Sequence, residues 1–156
     1  MLETRRATAA DANIITHHRR RMFIDAGRPD DQVLSVMSGN FEPWVAKMID
    51  EQKYIAWLTA DGDRVVAGAG LLILDWPPHP LDPGSVHRGY LLNMYVDPEY
   101  RRRKLGRHLI DLALAEASNR GIHVVALHAT DEGRHLYQSC GFRESNEMYL
   151  IQPLEA

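Results

Sequence analysis

The chain has 156 residues, of which 45% are hydrophobic, with 18 basic and 21 acidic side chains, a formal net charge of −3 and one cysteine. That length encloses one ordinary core, so a single domain over residues 1–156 is expected, and the near balance of charge argues against a surface built to bind nucleic acid. The lone Cys140 excludes an internal disulfide framework, no apolar run approaches the ~18 residues of a membrane span, and the start MLETRRATAAD lacks the apolar core of a signal peptide, so a cytoplasmic protein with no membrane partner is expected.

Residues 2–6 are short and mixed, suited to an edge strand. Thr8 then stands three before Asp11, a pairing that caps a helix beginning near Ala9. Ala12, Ile15, Met22 and Phe23 form its apolar positions, which leaves His17, His18, Arg19, Arg20 and Arg21 largely to the wet side, read as a solvated basic face in preference to an acceptor-binding or nucleic-acid patch, and Gly27 ends it. Residues 30–52 read as a second helical region, broken at Gly39-Asn40 and restarted by Glu42-Pro43 with proline in the first turn. Residues 54–59 and 64–75 are strands joined at Asp61-Gly62, a hairpin signal. Gly68-Ala69-Gly70 lies inside a strand pattern and lacks the third glycine of a dinucleotide loop, so it predicts a close-packed or bulged strand. The prolines of residues 76–84 stiffen a loop in which Trp76 and His79 either face a ligand or belong to a plain connection.

Tyr90 to Val96 is an almost unbroken apolar run rich in β-formers, a strand covered on both faces, and Asp97-Pro98 stops it. Residues 107–120 then carry Leu109, Ile110, Leu112, Ala113, Leu114 and Ala117 at helical spacing, and Gly121 sits where a helix-ending residue belongs. Between strand and helix lie Arg101, Arg102, Arg103, Lys104 and Gly106. The free N–H groups and positive dipole end of a helix start favour an anion there, and a phosphorylated ligand fits. Residues 122–128 predict a short strand. The polar entry 129–132 leads to a short helix over 133–140 with Leu136 and Tyr137, closed by Gly141, and residues 142–144 and 148–151 predict two weak strands. The fold class is α/β, a mixed sheet with antiparallel first strands and one parallel β-α crossover.

The turn Arg101-Arg102-Arg103-Lys104-Leu105-Gly106, with its flanks Val96-Asp97-Pro98-Glu99-Tyr100 and Arg107-His108-Leu109-Ile110, resembles the GNAT superfamily of N-acetyltransferases. That family's Arg/Gln-x-x-Gly-x-Gly/Ala motif binds the pyrophosphate of acetyl-coenzyme A. One position departs: Lys104 stands where glycine is usual, at a torsion that would favour glycine if φ > 0 is required. The segment from Leu127 to Phe142 resembles the family's closing block, in which a strand-to-helix turn leads to a tyrosine followed by x-x-x-Gly-Phe. The resemblance implies a GNAT-like fold, acetyl-coenzyme A as co-substrate, and an amine acceptor that is a small molecule or a peptide. It implies backbone contacts to the pantetheine arm along Met94, Tyr95 and Val96, and pyrophosphate contacts from Arg101, Arg102, Arg103, Lys104, Leu105 and Gly106. Arg107 either reaches a phosphate oxygen or lies on the open surface. Tyr137 would donate a proton to the departing thiolate, a task suited to a phenol that is protonated at neutral pH. The resemblance also allows a homodimer.

An attacking amine must first lose a proton, and His79, His87, Asp75, Glu42 and Glu147 are all candidate bases by residue type. Other chemistries fail on spacing. His123 and His128 are five apart on a strand and so face opposite ways, no metal motif is present, Cys140 reads as a packed thiol, and Gly106 is followed by Arg107-His108 where a nucleotide loop needs Lys-Ser or Lys-Thr. Two other readings remain: a non-catalytic acyl-coenzyme A-binding or sensing domain, and a nucleic-acid binder using Arg101 to Lys104 and Arg19 to Arg21, which lacks the interleaved aromatics such surfaces use.

Overall fold

The computed structural model describes residues 1–154. Strand β1 (Leu2–Arg6) leads through a 3-10 turn, Ala9–Asp11, into helix α1 (Ala12–Asp25), followed by α2 (Gln32–Asp50) and the strands β2 (Tyr54–Asp61), β3 (Arg64–Asp75) and β4 (His87–Val96). A second 3-10 turn, Pro98–Tyr100, precedes α3 (Leu105–Asn119), β5 (Val125–Leu127) and α4 (Asp131–Ser139). The five strands form one sheet in the order β1-β2-β3-β4-β5. Neighbours are antiparallel except β4 and β5, which α3 connects as a parallel pair. This is the mixed sheet with a single crossover that the sequence predicts.

Alternation along β2 sorts its side chains into two layers. Ile55 and Trp57 join Val66, Leu71, Leu91, Leu109, Ile110 and Ala113 under α3, while Tyr54, Ala56 and Leu58 meet Ile15, Phe41 and Val45 of α1 and α2. On β4 the alternation breaks. The register runs Gly68 opposite Tyr95 and Gly70 opposite Leu92, so Asn93 and Met94 together oppose Ala69, and Asn93 takes a left-handed φ of 55°. This bulge turns Leu92 and Asn93 toward the α1/α2 layer, after which Met94 and Val96 pack on the α3 side. The expected bulge is thus present, with its extra residue on β4 and its two glycines opposite.

Helices α3 and α4 end in the same way. For α3, Gly121 at φ 70° lets its own N–H reach the Ser118 carbonyl and that of Ile122 reach Ala117. Ile122 therefore belongs to a helix stop, which shortens the expected strand 122–128 to Val125–Leu127. For α4 the same pair of bonds runs from Gly141 to Gln138 and from Phe142 to Tyr137.

Several expectations are corrected. His18 is buried, at 3% exposure, and Arg19 is partly buried, because both lie three or four residues after Ile15 on the stripe that meets the sheet. Helix α2 is continuous through Gly39-Asn40 and holds Pro43 inside it. Leu34, Phe41 and Val45 give it one buried stripe, and the carbonyl that Pro43 leaves without a donor belongs to exposed Gly39, where water can serve. Residues 142–144 and 148–151 form no strands, since no strand of the sheet pairs with them. The loop after β3 is clasped to the chain entering β5: the buried Asp82 carboxylate accepts the His123 backbone N–H at 2.9 Å and faces its Nδ1 at 3.0 Å.

A Cβ at Gly70 would overlap the phenol of Tyr54, which is fully buried. Gly70→Ala is expected to destabilise the protein by about 2–4 kcal/mol, through overpacking and displacement of the Tyr54 hydroxyl. Urea unfolding checks this, and an unchanged midpoint would show that Tyr54 yields without cost.

Candidate active site

β4 and β5 pair only through Gly89, Tyr90 and Leu91, while β4 runs on to Val96. Past Leu91 the two parallel strands separate, so the edge of Met94, Tyr95 and Val96 that faces away from β3 has no strand partner among the described residues. Unpaired strand edges offer N–H and C=O groups to an extended ligand.

The chain leaving β4 is held by ion pairs. Arg64 bridges Asp97 at 2.6 Å and Glu99 at 3.1 Å, and Asp97 also accepts the Glu99 N–H. Arg101 donates through Nε to the Val96 carbonyl at 3.0 Å and pairs with Asp25 at the end of α1 at 2.9 Å. Arg103 lies over Tyr100 and donates to the Glu99 carbonyl. Between these anchors the backbone is left-handed twice, at Arg102 with φ 64° and at Lys104 with φ 62°. Lys104 therefore adopts the conformation for which glycine is usual, and α3 starts directly after it with no side chain capping its first turn. Uncapped N–H groups, the helix dipole and the exposed side chains of Arg102, Lys104 and Arg107 converge there as an anion cradle. Arg107 also faces Asp111 at 3.6 Å.

Leu105 is buried and anchors the turn to the core. Gly106 has no special φ, but a Cβ on it would lie 3.0 Å from Leu136 of α4. Its smallness serves the close approach of α4 as well as the opening at the helix start. Thr130 caps α4 by accepting the Gly133 N–H at 3.2 Å. One residue beyond Leu136, Tyr137 packs on the same core as Met94 and Val96, its ring edge-on to Phe142 at 5.9 Å. Burial, then Cys140, raises its pKa above the ordinary phenol value, so it stays protonated at neutral pH.

The candidate bases are scattered. Asp75 and His87 face each other at 3.7 Å at the far end of β4, about 20 Å of strand from Met94, and Glu147 is paired with Arg88 at that same end. The His79 ring accepts the Leu81 N–H in the loop, and exposed Glu42 lies beside Ala9, Ala10 and Pro43 in a surface groove. In their place, the bulge gathers Asn93, Tyr54, His18 and Arg19, none of them selected as site residues from sequence, beside Tyr95. Asn93 accepts from Arg19 at 2.8 Å and donates to the Tyr54 hydroxyl at 2.7 Å, while the His18 ring stands 4.7 Å from that of Tyr95. Two signals could have found them: Asn93 is the one polar residue in Tyr90 to Val96, and Ile15, His18, Arg19 and Met22 share helical spacing.

The sequence profile of the acetyltransferase (GNAT) family matches residues 14–142. The chain belongs to that family. Among solved structures, a GCN5-related N-acetyltransferase from Ralstonia eutropha JMP134 is 38% identical, with a TM-score of 0.91 and 99% of each chain covered. A predicted acetyltransferase from Clostridium acetobutylicum, solved with acetyl-CoA, is 24% identical with a TM-score of 0.88, covering 97% of this chain and 96% of that one. Glucosamine-6-phosphate N-acetyltransferase from Arabidopsis thaliana shares the fold at 14% identity and a TM-score of 0.68, covering 99% and 98%. No curated protein matches the sequence. This GNAT chain is therefore an acetyltransferase by family and by fold.

Burial, with the charge of His17 second, pulls the pKa of His18 from 6.5 down to about 4. The unfolded chain then holds a proton that the folded one lacks between those two values. Stability present above pH 6.5 is expected to fall by about 3 kcal/mol as the pH drops to 4. In urea melts, His18→Gln should be less stable at pH 7.5 yet flatter between pH 6.5 and 4.5. Equal slopes in both proteins would show that His18 does not titrate in this way.

Proposed function

We propose that the protein is an acetyl-coenzyme A-dependent N-acetyltransferase in which the amine attacks the thioester directly within a ternary complex. The observation that carries this is the left-handed turn Arg102–Lys104 opening onto the uncapped start of α3, beside the parting of β4 and β5. Family membership supports the transfer chemistry, and the bound acetyl-CoA of the Clostridium structure supports the choice of donor.

In this reading the backbone N–H groups at the start of α3, with Arg102, Arg103, Lys104 and Arg107, hold the pyrophosphate. Arg101, already tied to Asp25 and Val96, positions the turn rather than the ligand. The free edge of Met94, Tyr95 and Val96 takes the pantetheine arm, and one of its N–H groups polarises the carbonyl under attack. The thioester supplies the acetyl group. Tyr137 gives its proton to the sulfur as the carbon–sulfur bond breaks, and no acyl group resides on the protein. Amine deprotonation falls to a water relay or to the deprotonated fraction of the acceptor, because the candidate carboxylates and histidines lie away from the free edge.

Two substitutions test the assignment. Lys104→Gly relieves a left-handed torsion at the loss of one exposed charge, so coenzyme A affinity in calorimetry should move by less than tenfold, about 1.4 kcal/mol. A larger change would give the lysine side chain a role of its own. Tyr137→Phe keeps the packing on Phe142 and removes only the proton donor. Turnover should fall about 10²-fold with coenzyme A affinity nearly constant. Equal turnover with chemistry rate-limiting would leave Tyr137 a structural residue, and absence of transfer to any amine by the wild type would favour a coenzyme A-binding sensor.

A further inference from the structure

Three consecutive arginines on α1 have different surroundings. Arg20 is paired with Asp30 and Arg21 with Asp25, whereas Arg19 has no carboxylate partner among the described residues. It is also the one that is drawn into the protein. Its guanidinium lies 5.1 Å from the Phe23 ring and 4.8 Å from that of Phe41, and its Nε is buried without a hydrogen-bond partner. Among the described residues its one side-chain hydrogen bond goes to the amide oxygen of Asn93, a neutral group.

A cation drawn partly out of water without a counter-ion is costly, and one half-satisfied by an amide is still short of negative charge. Tyr54 does not provide it. Burial raises the pKa of that phenol to about 12, and its oxygen already accepts from Asn93. The surrounding rings, Phe23, Phe41, Tyr54 and the partly exposed Trp44, form an aromatic wall that brings no charge either. Desolvation accordingly lowers the Arg19 pKa from its ordinary value, although a guanidinium remains charged.

Position gives this unpaired cation a purpose. Asn93 is the bulge residue, directly before Met94, where the free edge of β4 begins. Its amide is fixed at the other end by Tyr54, so the guanidinium is held against the residue that directly precedes the free edge. We infer that Arg19 is the recognition site for a carboxylate on the acceptor, so that the substrates are amines bearing a carboxylate close to the nitrogen, as amino acids do. A carboxylate matches a single guanidinium in charge and in fork geometry. A phosphate would leave surplus negative charge among Phe23, Phe41 and Tyr54. This inference rests on the acetyltransferase reading above and adds the acceptor class to it.

The test compares free amino acids with their amides, which differ only in the carboxylate, and with 2-aminoethyl phosphate, in acetyl transfer by the full chain. Wild type should favour the free acids by about 10- to 100-fold in kcat/KM, mostly through KM. Arg19→Gln should bring acids and amides within threefold while coenzyme A affinity is kept, and Arg19→Lys should restore part of the preference. Equal use of acids and amides by the wild type overturns the inference and leaves the acetyltransferase reading intact. So does a preference for the phosphate, or discrimination that persists in folded Arg19→Gln. If no amine is acetylated, the acetyltransferase reading itself fails. Calorimetry of amino acids against the coenzyme A-loaded protein then decides separately: binding lost in Arg19→Gln supports the carboxylate site, and no binding by the wild type overturns it.

Discussion

The bulge at Asn93 is the constraint on which the rest of this structure depends. An extra residue in a central strand would ordinarily leave a gap and unpaired backbone inside the sheet. Here it is filled from one side by a chain of bonds, part-buried from Arg19 to Asn93 and buried from Asn93 to Tyr54, and accommodated from the other by Gly68 and Gly70, which leave room for His18 and for the Tyr54 ring. The same displacement re-phases β4, so that Met94 and Val96 face the α3 layer and the strand departs from β5. A single local irregularity thus sets the position of the cleft and furnishes one wall of it. The buried polar residues are what keep the irregular strand in one register.

The anion cradle depends on a different balance. Two non-glycine residues in left-handed torsions within three positions cost on the order of 1–2 kcal/mol each. The offset lies in the attachments on both sides. Arg101 links the turn to α1 and to β4, Arg64 fastens its entry through Asp97 and Glu99, and Leu105 is buried at the helix start. Arg102 and Lys104 have no such ties among the described residues and are exposed, and no side chain caps the N–H groups that follow them. The turn is therefore held by contacts within the protein on both sides.

Much of this was legible in the sequence wherever the signal is local. The hairpin at Gly62, the crossover from β4 through α3, and the glycine stops at Gly121 and Gly141 each depend on a few neighbouring residues, and each is found as read. Structure decided otherwise where a residue's state is set by distant partners. A run of His and Arg on α1 resembles a solvated face until the sheet claims His18 and Arg19. Pro43 reads as a break until a continuous buried stripe holds α2 together across it. Residues 142–144 and 148–151 have the composition of strands, but composition cannot supply a neighbour to pair with. Asn93 carries the weakest local signal, since one polar residue in an apolar strand reveals neither its torsion nor its partners.

The ending of α4 carries a mechanical meaning. Gly141 and Phe142 turn back on Gln138 and Tyr137 with two backbone bonds, and the Phe142 ring rests against the Tyr137 ring. The interval of five residues from tyrosine to phenylalanine is the interval a helix stop requires. The phenol is thus indexed to its own helix, whereas the cleft opposite is indexed to the sheet. The two meet where Leu136 approaches Gly106 and where Tyr137 and Phe142 pack on the core that also holds Met94 and Val96. Shifts along the sheet then reach the phenol through side-chain packing, while its mounting at the helix end is fixed by local backbone bonds.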